Sequence, residues 1–268
     1  MTDMPDSMKG RRAIVTGGGT GLGAAVAVGL ARRGVNVCIN YNSSAEAAEK
    51  VVADCNALGV EAFAMKASVA EDADCRKLVD AAVKKFGGLD VLVNNAGVTK
   101  FVQHADLEGL SADDFLNLYR VNVVGVFQMT RAARPHLDKA EGKGAIVNTS
   151  SVAGVTGIGS SIAYAAAKGA LNTMTLSLAR ALAPNIRVNT VCPGYIGSGW
   201  FTKYQGSQIE DNVAEHVAKS SPLRVASMPE DIAGSIIFFA GPESRHITGE
   251  FIIVDAGMHL SYAPLMAR

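Results

Sequence analysis

The chain has 268 residues, which is enough for one large domain with a substantial buried core. Hydrophobic residues make up 49% of the chain and charged residues 19%, and this balance excludes an intrinsically disordered protein. Lys+Arg and Asp+Glu both number 25, so the net charge favours neither nucleic-acid binding nor attraction to an acidic membrane. No apolar run is long enough to cross a bilayer, and we expect neither nucleic acid nor membrane as a partner.

The cysteines and the N-terminus indicate a reducing, cytoplasmic setting. Cys38, Cys55, Cys75 and Cys192 form no C-x-x-C pair, and they show no metal-ligand spacing with the five histidines. We therefore expect free thiols and no metal site. Residues 1–10 contain acidic residues but no apolar stretch typical of a secretory signal, and they are expected to form a loose leader.

Short apolar segments alternate with longer helical segments along the chain. Predicted strands cover residues 13–15, 35–39, 61–66, 91–93, 145–148, 186–191 and 250–254. Predicted helices cover residues 24–33, 45–58, 71–86, 111–134, about 164–183 and 229–240, and residues 198–216 are expected to be irregular. This alternation predicts a single α/β domain over residues 1–268, with a parallel sheet that helices cover on both faces.

A glycine-rich turn follows the first predicted strand. Residues 16–23 read Thr-Gly-Gly-Gly-Thr-Gly-Leu-Gly and lead into a helix that stops at Gly34. Between a strand and a helix, such glycines let the backbone approach a pyrophosphate, and the helix N-terminus offers free N–H groups and a positive dipole end. The turn therefore predicts a dinucleotide site. The alternative is a tight turn that binds nothing.

The second predicted strand ends in a neutral polar corner, Asn-Tyr-Asn-Ser-Ser, at residues 40–44. In a dinucleotide-binding βαβ fold this corner faces the adenosine ribose, where an Asp or Glu binds the 2′-hydroxyl of NAD. Glu46 comes later, in the next helix. The neutral corner therefore favours NADP(H), although it lacks Arg and Lys, and NAD(H) remains an alternative. These polar residues can also cap the helix over residues 45–58.

Polar residues also follow the fourth and fifth predicted strands. Residues 94–97 read Asn-Asn-Ala-Gly, which suits a ligand crevice and a tight turn equally well. Asn122 interrupts the apolar middle of the next predicted helix, and a buried amide there needs a hydrogen-bond partner. Ser151 follows the fifth strand, and Tyr164 comes thirteen residues later.

Tyr164 and Lys168 lie four residues apart and therefore share one face of the predicted helix. The pKa of an isolated tyrosine is about 10, which makes it a poor proton donor and acceptor at neutral pH. A nearby ammonium favours the phenolate, so we expect Lys168 to lower the pKa of Tyr164. Taken alone, the pair also fits an ordinary helix surface.

Together these residues resemble the short-chain dehydrogenase/reductase family over residues 10–258. The resemblance rests on the glycine turn, the Asn-Asn-Ala-Gly segment, Asn122, Ser151, the Tyr-x-x-x-Lys pair and Pro193-Gly194. It implies a Rossmann-type, doubly wound fold with a seven-stranded parallel sheet, one nicotinamide dinucleotide, and hydride transfer to or from a carbonyl carbon. The neutral corner is similar to that of bacterial 3-oxoacyl-(acyl-carrier-protein) reductases, which use NADPH.

The resemblance implies a role for each catalytic candidate. Tyr164 would be the general acid in reduction and the general base in oxidation, and Lys168 would hold the nicotinamide ribose. Ser151 would hydrogen-bond the substrate oxygen, and Asn122 would hold a water that links Lys168 to solvent. The implied cofactor contacts are Gly17, Gly19, Thr20, Gly21, Leu22, Gly23, Tyr41, Asn42, Ser43, Ser68, Val69, Asn95, Ala96, Gly97, Tyr164, Lys168, Pro193, Gly194, Ile196 and Ser198.

Two serines replace residues that many family members carry. Ser68 stands where many have an Asp that holds adenine, and a serine can still bond that base. Ser198 stands where many have Thr, and its hydroxyl can make the same contact.

Residues 195–216 correspond to the family's variable substrate lid. The candidate substrate-pocket residues are Phe101, Tyr195, Trp200, Phe201 and Tyr204. Their rings indicate a partly apolar substrate, or they simply pack the lid shut. A carrier-protein substrate would need a basic docking surface, although exposed arginines are usually just solvated. The candidates for such a surface are Arg131, Arg134 and Arg180.

We expect an NADP(H)-dependent enzyme that interconverts a small-molecule ketone or 3-oxoacyl group, including acyl thioesters, and an alcohol. An NAD-linked sugar or polyol dehydrogenase is the alternative. A non-catalytic dinucleotide-binding regulator is a further alternative, against which the complete Ser, Tyr and Lys set argues. The resemblance implies a homotetramer or homodimer, and the apolar tail over residues 259–268 is expected to pack on a neighbouring subunit.

Overall fold

The computed structural model describes residues 8–260, except the side chain of Phe201. Within this range the strands are β1 (Arg12–Val15), β2 (Asn36–Tyr41), β3 (Ala62–Lys66), β4 (Val91–Asn94), β5 (Gly144–Thr149), β6 (Ile186–Pro193) and β7 (Phe251–Val254). They form one seven-stranded parallel sheet in the order β3-β2-β1-β4-β5-β6-β7, which confirms the predicted doubly wound, Rossmann-type α/β fold. The order reverses between β1 and β4, where such sheets bind ligands at the carboxyl ends of the strands.

Helices connect the strands and cover both faces of the sheet. They are α1 (Gly21–Arg32), α2 (Ala45–Ala57), α3 (Asp72–Phe86), α4 (Ala112–Tyr119), α5 (Gly125–Leu137), α6 (Ala153–Thr156), α7 (Ile162–Leu182), α8 (Trp200–Gln205), α9 (Ser207–Ser220) and α10 (Pro229–Ala240). A π-helical turn, Arg120–Val124, joins α4 to α5, and a short 3-10 turn, Met258–Leu260, follows β7.

The core lies in two layers, one on each face of the sheet. Along β1, Ala13 and Val15 pack with α1 and α10, whereas Ile14 packs with α3, α5 and α7, because successive strand side chains point to opposite faces. Burial on both faces explains why the central strands read as continuous apolar runs. The polar residues that follow these strands are thus held at the edge of a rigid sheet.

The helix predicted over residues 111–134 is wrong in one respect, because the π-helical turn divides it. Asn122 is buried in this turn, where its Nδ2 donates to the Val98 carbonyl oxygen at 2.9 Å and its Oδ1 accepts from Val98 N at 3.2 Å. The expected partner of the buried amide is therefore the backbone that follows β4. Turns of this kind are frequent at functional sites.

The prediction of irregular structure over residues 198–216 is wrong, because this segment contains α8 and most of α9. The Glu210 carboxylate accepts hydrogen bonds from Gly199 N at 2.9 Å and from Thr202 N at 2.8 Å, at the start of α8. Gly206, with a φ of 94°, then separates the two helices. A carboxylate from the following helix thus supplies the N-terminal partner that a local sequence pattern does not show.

The predicted loose leader is also wrong for its last residues. Met8 is fully buried in the core, and Gly10 N donates to the Gly34 carbonyl oxygen at 2.8 Å. Residues 1–7, and residues 261–268 of the predicted tail, lie outside the described part of the chain.

Candidate active site

A cleft of about 940 Å³ lies at the carboxyl ends of the central strands. Its walls include the glycine turn after β1, the polar corner after β2, and the segments that follow β4, β5 and β6. The predicted site residues that line it are Gly17, Thr20, Gly21, Leu22, Tyr41, Asn42, Ser43, Ser68, Val69, Asn95, Ala96, Gly97, Phe101, Ser151, Tyr164, Lys168, Pro193, Gly194, Tyr195, Ile196, Ser198 and Trp200. Asn122, Gly19, Gly23 and Tyr204 are not among the lining residues.

The glycine turn has no room for side chains. Gly17 has a φ of +62°, and a Cβ there would lie 3.0 Å from Ala96 Cα. A Cβ on Gly23 would lie 2.2 Å from the Gly17 carbonyl oxygen, so Gly23 allows the turn to pack against the start of α1. Gly19 similarly packs on α2, since a Cβ there would lie 3.1 Å from Ala48 Cβ. A close backbone turn at a helix N-terminus fits a pyrophosphate.

Thr16, the first residue of the glycine turn, and Asn40, the first residue of the polar corner, hold this turn in place, a role that we did not predict from the sequence. Thr16 Oγ1 accepts from Asn95 N at 2.9 Å and from Ala96 N at 3.0 Å. Asn40 is buried, its Oδ1 accepts from Gly17 N at 3.2 Å, and its Nδ2 donates to the Ala67 carbonyl oxygen at 2.9 Å. Thr16 comes directly after β1, and Asn40 is the second-to-last residue of β2. These positions at strand ends are the sequence signal that identifies the two residues. They tie the ends of the central strands together around the cleft.

The corner after β2 supplies neutral polar groups. Tyr41, Asn42 and Ser43 line the cleft, and no Asp or Glu does so among the described residues. Ser44 is at the N-cap of α2, but its side chain makes no capping hydrogen bond. The alternative in which these residues merely cap the helix therefore lacks support. The corner therefore lacks the carboxylate that binds the ribose 2′-hydroxyl in NAD-binding folds, and its neutral groups would not repel a phosphate.

Ser151, Tyr164 and Lys168 converge at the centre of the cleft. The Ser151 hydroxyl lies close enough to Tyr164 to act on the pKa of the phenol, which it lowers. Lys168 Nζ donates to the Thr149 carbonyl oxygen at 2.8 Å and lies 5.6 Å from the centroid of the Tyr164 ring. A Cβ on Gly97 would lie 3.8 Å from Lys168 Nζ, so the ammonium lies close to the backbone that follows β4.

Asn122 is placed beside this group, although it does not line the cleft. A Cβ on Gly97 would lie 3.0 Å from Asn122 Oδ1, so Asn122 and Lys168 approach the same glycine. Both polar side-chain atoms of Asn122, Oδ1 and Nδ2, are hydrogen-bonded to the backbone of Val98. The direct contacts of Asn122 thus fix the chain after β4.

The expected lowering of the Tyr164 pKa is wrong. Burial raises the pKa of Tyr164 to about 12, and this effect outweighs the opposing hydrogen bond from Ser151. Burial also lowers the pKa of Lys168 to about 8, because a desolvated ammonium is disfavoured. The Tyr164 phenol is therefore protonated at neutral pH, as a proton donor must be.

Aromatic side chains join α8 to the opposite wall of the cleft. The ring centroids of Phe101 and Tyr204 are 5.9 Å apart, and those of Trp200 and Tyr204 are 5.5 Å apart. Tyr195 is buried and its hydroxyl donates to the Glu210 carbonyl oxygen at 3.5 Å, so it anchors α9. The side chain of Phe201 lies outside the described part of the structure.

Two of the three arginines considered for a docking surface are paired with acids. Arg131 Nη2 lies 2.7 Å from Asp72 Oδ1, and Arg134 Nε lies 3.5 Å from Asp138 Oδ2. Their charges are therefore compensated within the chain. The structure gives no corresponding ion pair for Arg180 within residues 8–260.

The cysteines are free and buried, as expected. Burial raises the pKa of Cys38, and it raises those of Cys55, Cys75 and Cys192 to about 11, so none is a reactive thiolate. Within the described range, no group of three or more His, Cys, Asp or Glu residues could hold a metal ion. None of the described helices has the length and apolar character needed to cross a membrane.

Comparison with known proteins agrees with this geometry. Residues 17–259 match the family profile described as Enoyl-(Acyl carrier protein) reductase. The chain is 41% identical over 259 residues to a Streptomyces violaceoruber protein named, provisionally, ketoacyl reductase 2 of the granaticin polyketide synthase, with 97% of this chain and 99% of that one covered. It is 36% identical to the 3-oxoacyl-(acyl-carrier-protein) reductase FabG of Staphylococcus aureus, with 93% and 98% covered.

A solved structure shows the same fold. A short chain dehydrogenase from Burkholderia cenocepacia, in complex with NADP, matches with a TM-score of 0.84 and 37% identity, over 94% of this chain and 99% of that chain. The fold, the cleft and these similarities agree over nearly the whole chain. The chain belongs to the short-chain dehydrogenase/reductase family, whose members are NAD(P)-binding oxidoreductases acting on CH–OH and C=O groups.

Proposed function

We propose that this protein is an NADP(H)-dependent oxidoreductase that interconverts a ketone or 3-oxoacyl group and a secondary alcohol. The observation that carries the proposal is the convergence of Ser151, Tyr164 and Lys168 in one cleft with the glycine turn. We assign Ser151, Tyr164 and Lys168 to the chemical step. Asn122 is a positioning residue in this proposal, because it binds the backbone of Val98 rather than lining the cleft.

The three side chains suit protonation of a carbonyl oxygen. When bound, the nicotinamide cofactor supplies the hydride to the carbonyl carbon. Tyr164 donates its phenolic proton to the carbonyl oxygen, and Ser151 donates a hydrogen bond to the same atom as charge develops there. The Lys168 ammonium, 5.6 Å from the Tyr164 ring centroid, stabilises the phenolate that remains. Oxidation of an alcohol runs the same steps in reverse, with Tyr164 as the base.

The residues around the cleft fit the cofactor. The turn with Gly17, Gly21 and Gly23 would hold the pyrophosphate, and Pro193, Gly194, Ile196 and Ser198 would hold the nicotinamide end. Ser68, Val69 and Asn95 to Gly97 would line the path between them. Tyr41, Asn42 and Ser43 would face the 2′-phosphate of NADP(H), where no carboxylate among the described lining residues repels it.

One added negative charge at the corner after β2 tests the cofactor preference. In the wild type, NADPH should bind more tightly than NADH, whereas Asn42→Asp should weaken NADPH binding about tenfold or more through repulsion of the 2′-phosphate. Fluorescence titration of both cofactors measures this. Asn117→Asp, on the exposed face of α4, is the matched control and should leave both dissociation constants unchanged. A wild type that binds NADH more tightly would favour the NAD-linked alternative.

The substrate pocket favours an apolar ketone over a sugar. Phe101 and Trp200 line the cleft, and the rings of both contact the ring of Tyr204. A sugar would instead require many hydrogen-bonding groups in the pocket. Two relatives are named as a ketoacyl reductase and a 3-oxoacyl reductase, and both names denote a ketone on an acyl group. A panel of 3-oxoacyl thioesters, simple ketones and sugars, assayed with both cofactors, tests this choice. Turnover of sugars alone would contradict it.

We also propose one domain over the whole chain, with residues 195–216 as its lid, and a homotetramer as its assembly. Large apolar side chains are exposed on two separate faces. On α4, the π-helical turn and α5, Leu116 is 66% exposed and Phe127 43% exposed, and near β7 and α10, Phe251 is 39% exposed and Phe238 38% exposed. Two such faces fit the two interfaces that a tetramer needs. The role of the tail over residues 261–268 lies outside the described structure.

A further inference from the structure

Lys203 presents a charge to the cleft that no acid in the described structure balances. It lies on α8 and lines the cleft. Glu210, an acid of the neighbouring helix α9, is occupied by Gly199 N and Thr202 N, at 2.9 and 2.8 Å. By contrast, Lys219 at the far end of α9 is paired with Glu215. Within residues 8–260 no carboxylate lies within salt-bridge distance of the Lys203 ammonium.

The ammonium of Lys203 contacts one of the aromatic side chains near α8, which are Phe101, Trp200 and Tyr204. Its Nζ lies 5.3 Å from the centroid of the Tyr204 ring, within the range of a cation–π interaction. Tyr204 in turn contacts Phe101, at 5.9 Å between ring centroids. Phe101 and Lys203 both line the cleft that contains Tyr164, so this series of contacts lies along the cleft. Lys203 is therefore held beside the path of the substrate.

The lining of the cleft suits an anion. Gln103 and Gln205 line the same cleft as Lys203 and offer neutral amide groups for hydrogen bonds. None of the described lining residues is an Asp or Glu, although the chain has 25 of them. The glycine turn and the corner after β2 account for the cofactor phosphates, so these do not require Lys203. An anionic group of the substrate would find a cation here without a competing carboxylate.

We propose that Lys203 binds an anionic group, a carboxylate or a phosphate, at the end of the substrate remote from the reacting carbonyl. This inference rests on the proposed function, because it places the carbonyl at Ser151 and Tyr164. The apolar middle of the substrate then lies along Phe101 and Trp200. The substrate class is an amphiphilic keto acid or keto phosphate.

Kinetics with matched substrates test this assignment. The substrates are three 3-oxo esters of equal chain length that end in a carboxylate, a phosphate or a methyl group, each assayed with NADPH. For Lys203→Met, the ratio of kcat/KM for an anionic substrate to that for the methyl-ended one should fall about tenfold. Lys203→Arg should largely keep the wild-type ratio, and Lys219→Met is the control. A ratio that Lys203→Met leaves unchanged for both anions overturns the inference.

A binding measurement keeps this test separate from the test of the proposed function. Decanoate, which has no reducible carbonyl, is titrated calorimetrically into the NADP-loaded protein, and decyl phosphate serves as the second probe. Lys203→Met should weaken at least one of these two dissociation constants about tenfold, and Lys219→Met should weaken neither. Equal affinities in wild type and Lys203→Met overturn the inference. Loss of affinity in a protein that reduces none of the esters supports Lys203 as an anion site and contradicts the ketone reductase function.

Discussion

At the scale of single residues, burial shifts the pKa values of Tyr164 and Lys168, the pair that we propose to be catalytic. Burial raises the pKa of Tyr164 to about 12 and lowers that of Lys168 to about 8. The spacing of the two residues correctly places them on one helix face, but it does not show how deeply the helix is buried. Desolvation disfavours both charged forms. The folded protein therefore contains a neutral phenol that can donate its proton. The ammonium beside it is destabilised by burial.

The cost of the Lys168 ammonium predicts a pH-dependent stability. The pKa of Lys168 is lowered from 10.5 to about 8 on folding, so between these pH values the unfolded chain holds a proton that the folded chain has released. Stability from this group therefore rises with pH through that window, by roughly 3 kcal/mol at most. Lys168→Met should raise the free energy of unfolding relative to wild type at pH 7 more than at pH 10.

Urea denaturation of both proteins at the two pH values checks this prediction. The comparison across pH removes the effect of losing the hydrogen bond from Lys168 to the Thr149 carbonyl oxygen, since neutral lysine also makes it. If the free energies of unfolding of Lys168→Met and wild type differ by the same amount at pH 7 and pH 10, the charge of Lys168 does not destabilise the folded protein.

At the scale of elements, the position of Ser151 depends on the packing of α6 against α7. Ser151 lies just before α6, and its Oγ accepts from Ala153 N at 3.1 Å. Asn172 Nδ2, on α7, donates to the Gly154 carbonyl oxygen at 3.2 Å. Ser150 Oγ donates to the Lys168 carbonyl oxygen at 3.1 Å. These contacts hold the serine and the tyrosine–lysine helix in one arrangement.

Gly154→Ala should separate these two elements. A Cβ on Gly154 would lie 2.5 Å from the carbonyl carbon of Lys168 and 2.7 Å from Gly169 N, and neither backbone atom can rotate away. We expect kcat to fall about a hundredfold, because small displacements of reacting groups are costly, while the NADPH dissociation constant changes little. Unfolding should become easier by about 1–3 kcal/mol.

Gly234→Ala is the control, because a Cβ there meets no atom within 4 Å in the interior of α10. It should stabilise the protein by about 0.5–1 kcal/mol and leave kcat unchanged. A Gly154→Ala enzyme with wild-type kcat would show that the contact of α6 with α7 does not position Ser151.

The sequence predicts elements that depend on local patterns and misses those that depend on tertiary partners. The sheet and the glycine turn are predictable, because apolar runs and the Thr-Gly start of the turn are local signals. The π-helical turn is not, because its buried Asn122 has hydrogen-bond partners on Val98, 24 residues away in the chain. Helices α8 and α9 were missed because Glu210 supplies the hydrogen bonds at the start of α8 from another helix.

At the scale of the whole molecule, the sheet topology gathers the cleft residues and leaves apolar faces on the outside. The polar segments after β1, β4, β5 and β6 meet because the parallel strands end at one edge of the sheet. The exposed apolar side chains of α4, α5 and α10 do not line the cleft. In the proposed assembly they form the contacts between subunits.

Phe127→Glu should therefore disrupt the assembly. Phe127 is 43% exposed on α5, and in the proposed assembly a carboxylate there would be buried between subunits. Light scattering of the wild type should give a tetramer, and the variant should give a dimer or monomer. Leu107→Glu, at a position 68% exposed in a loop, is the control and should keep the wild-type mass. A monomeric wild type would contradict the proposed assembly.

The most direct test of the proposed chemistry is the turnover of Tyr164→Phe with NADPH and a 3-oxoacyl thioester. This change removes the phenolic hydroxyl and keeps the ring, so kcat should fall about 10³-fold while the NADPH dissociation constant stays near that of the wild type. Tyr119→Phe, on α4, should retain wild-type kcat. A Tyr164→Phe enzyme that retains wild-type kcat would contradict the assignment of Tyr164 as the proton donor.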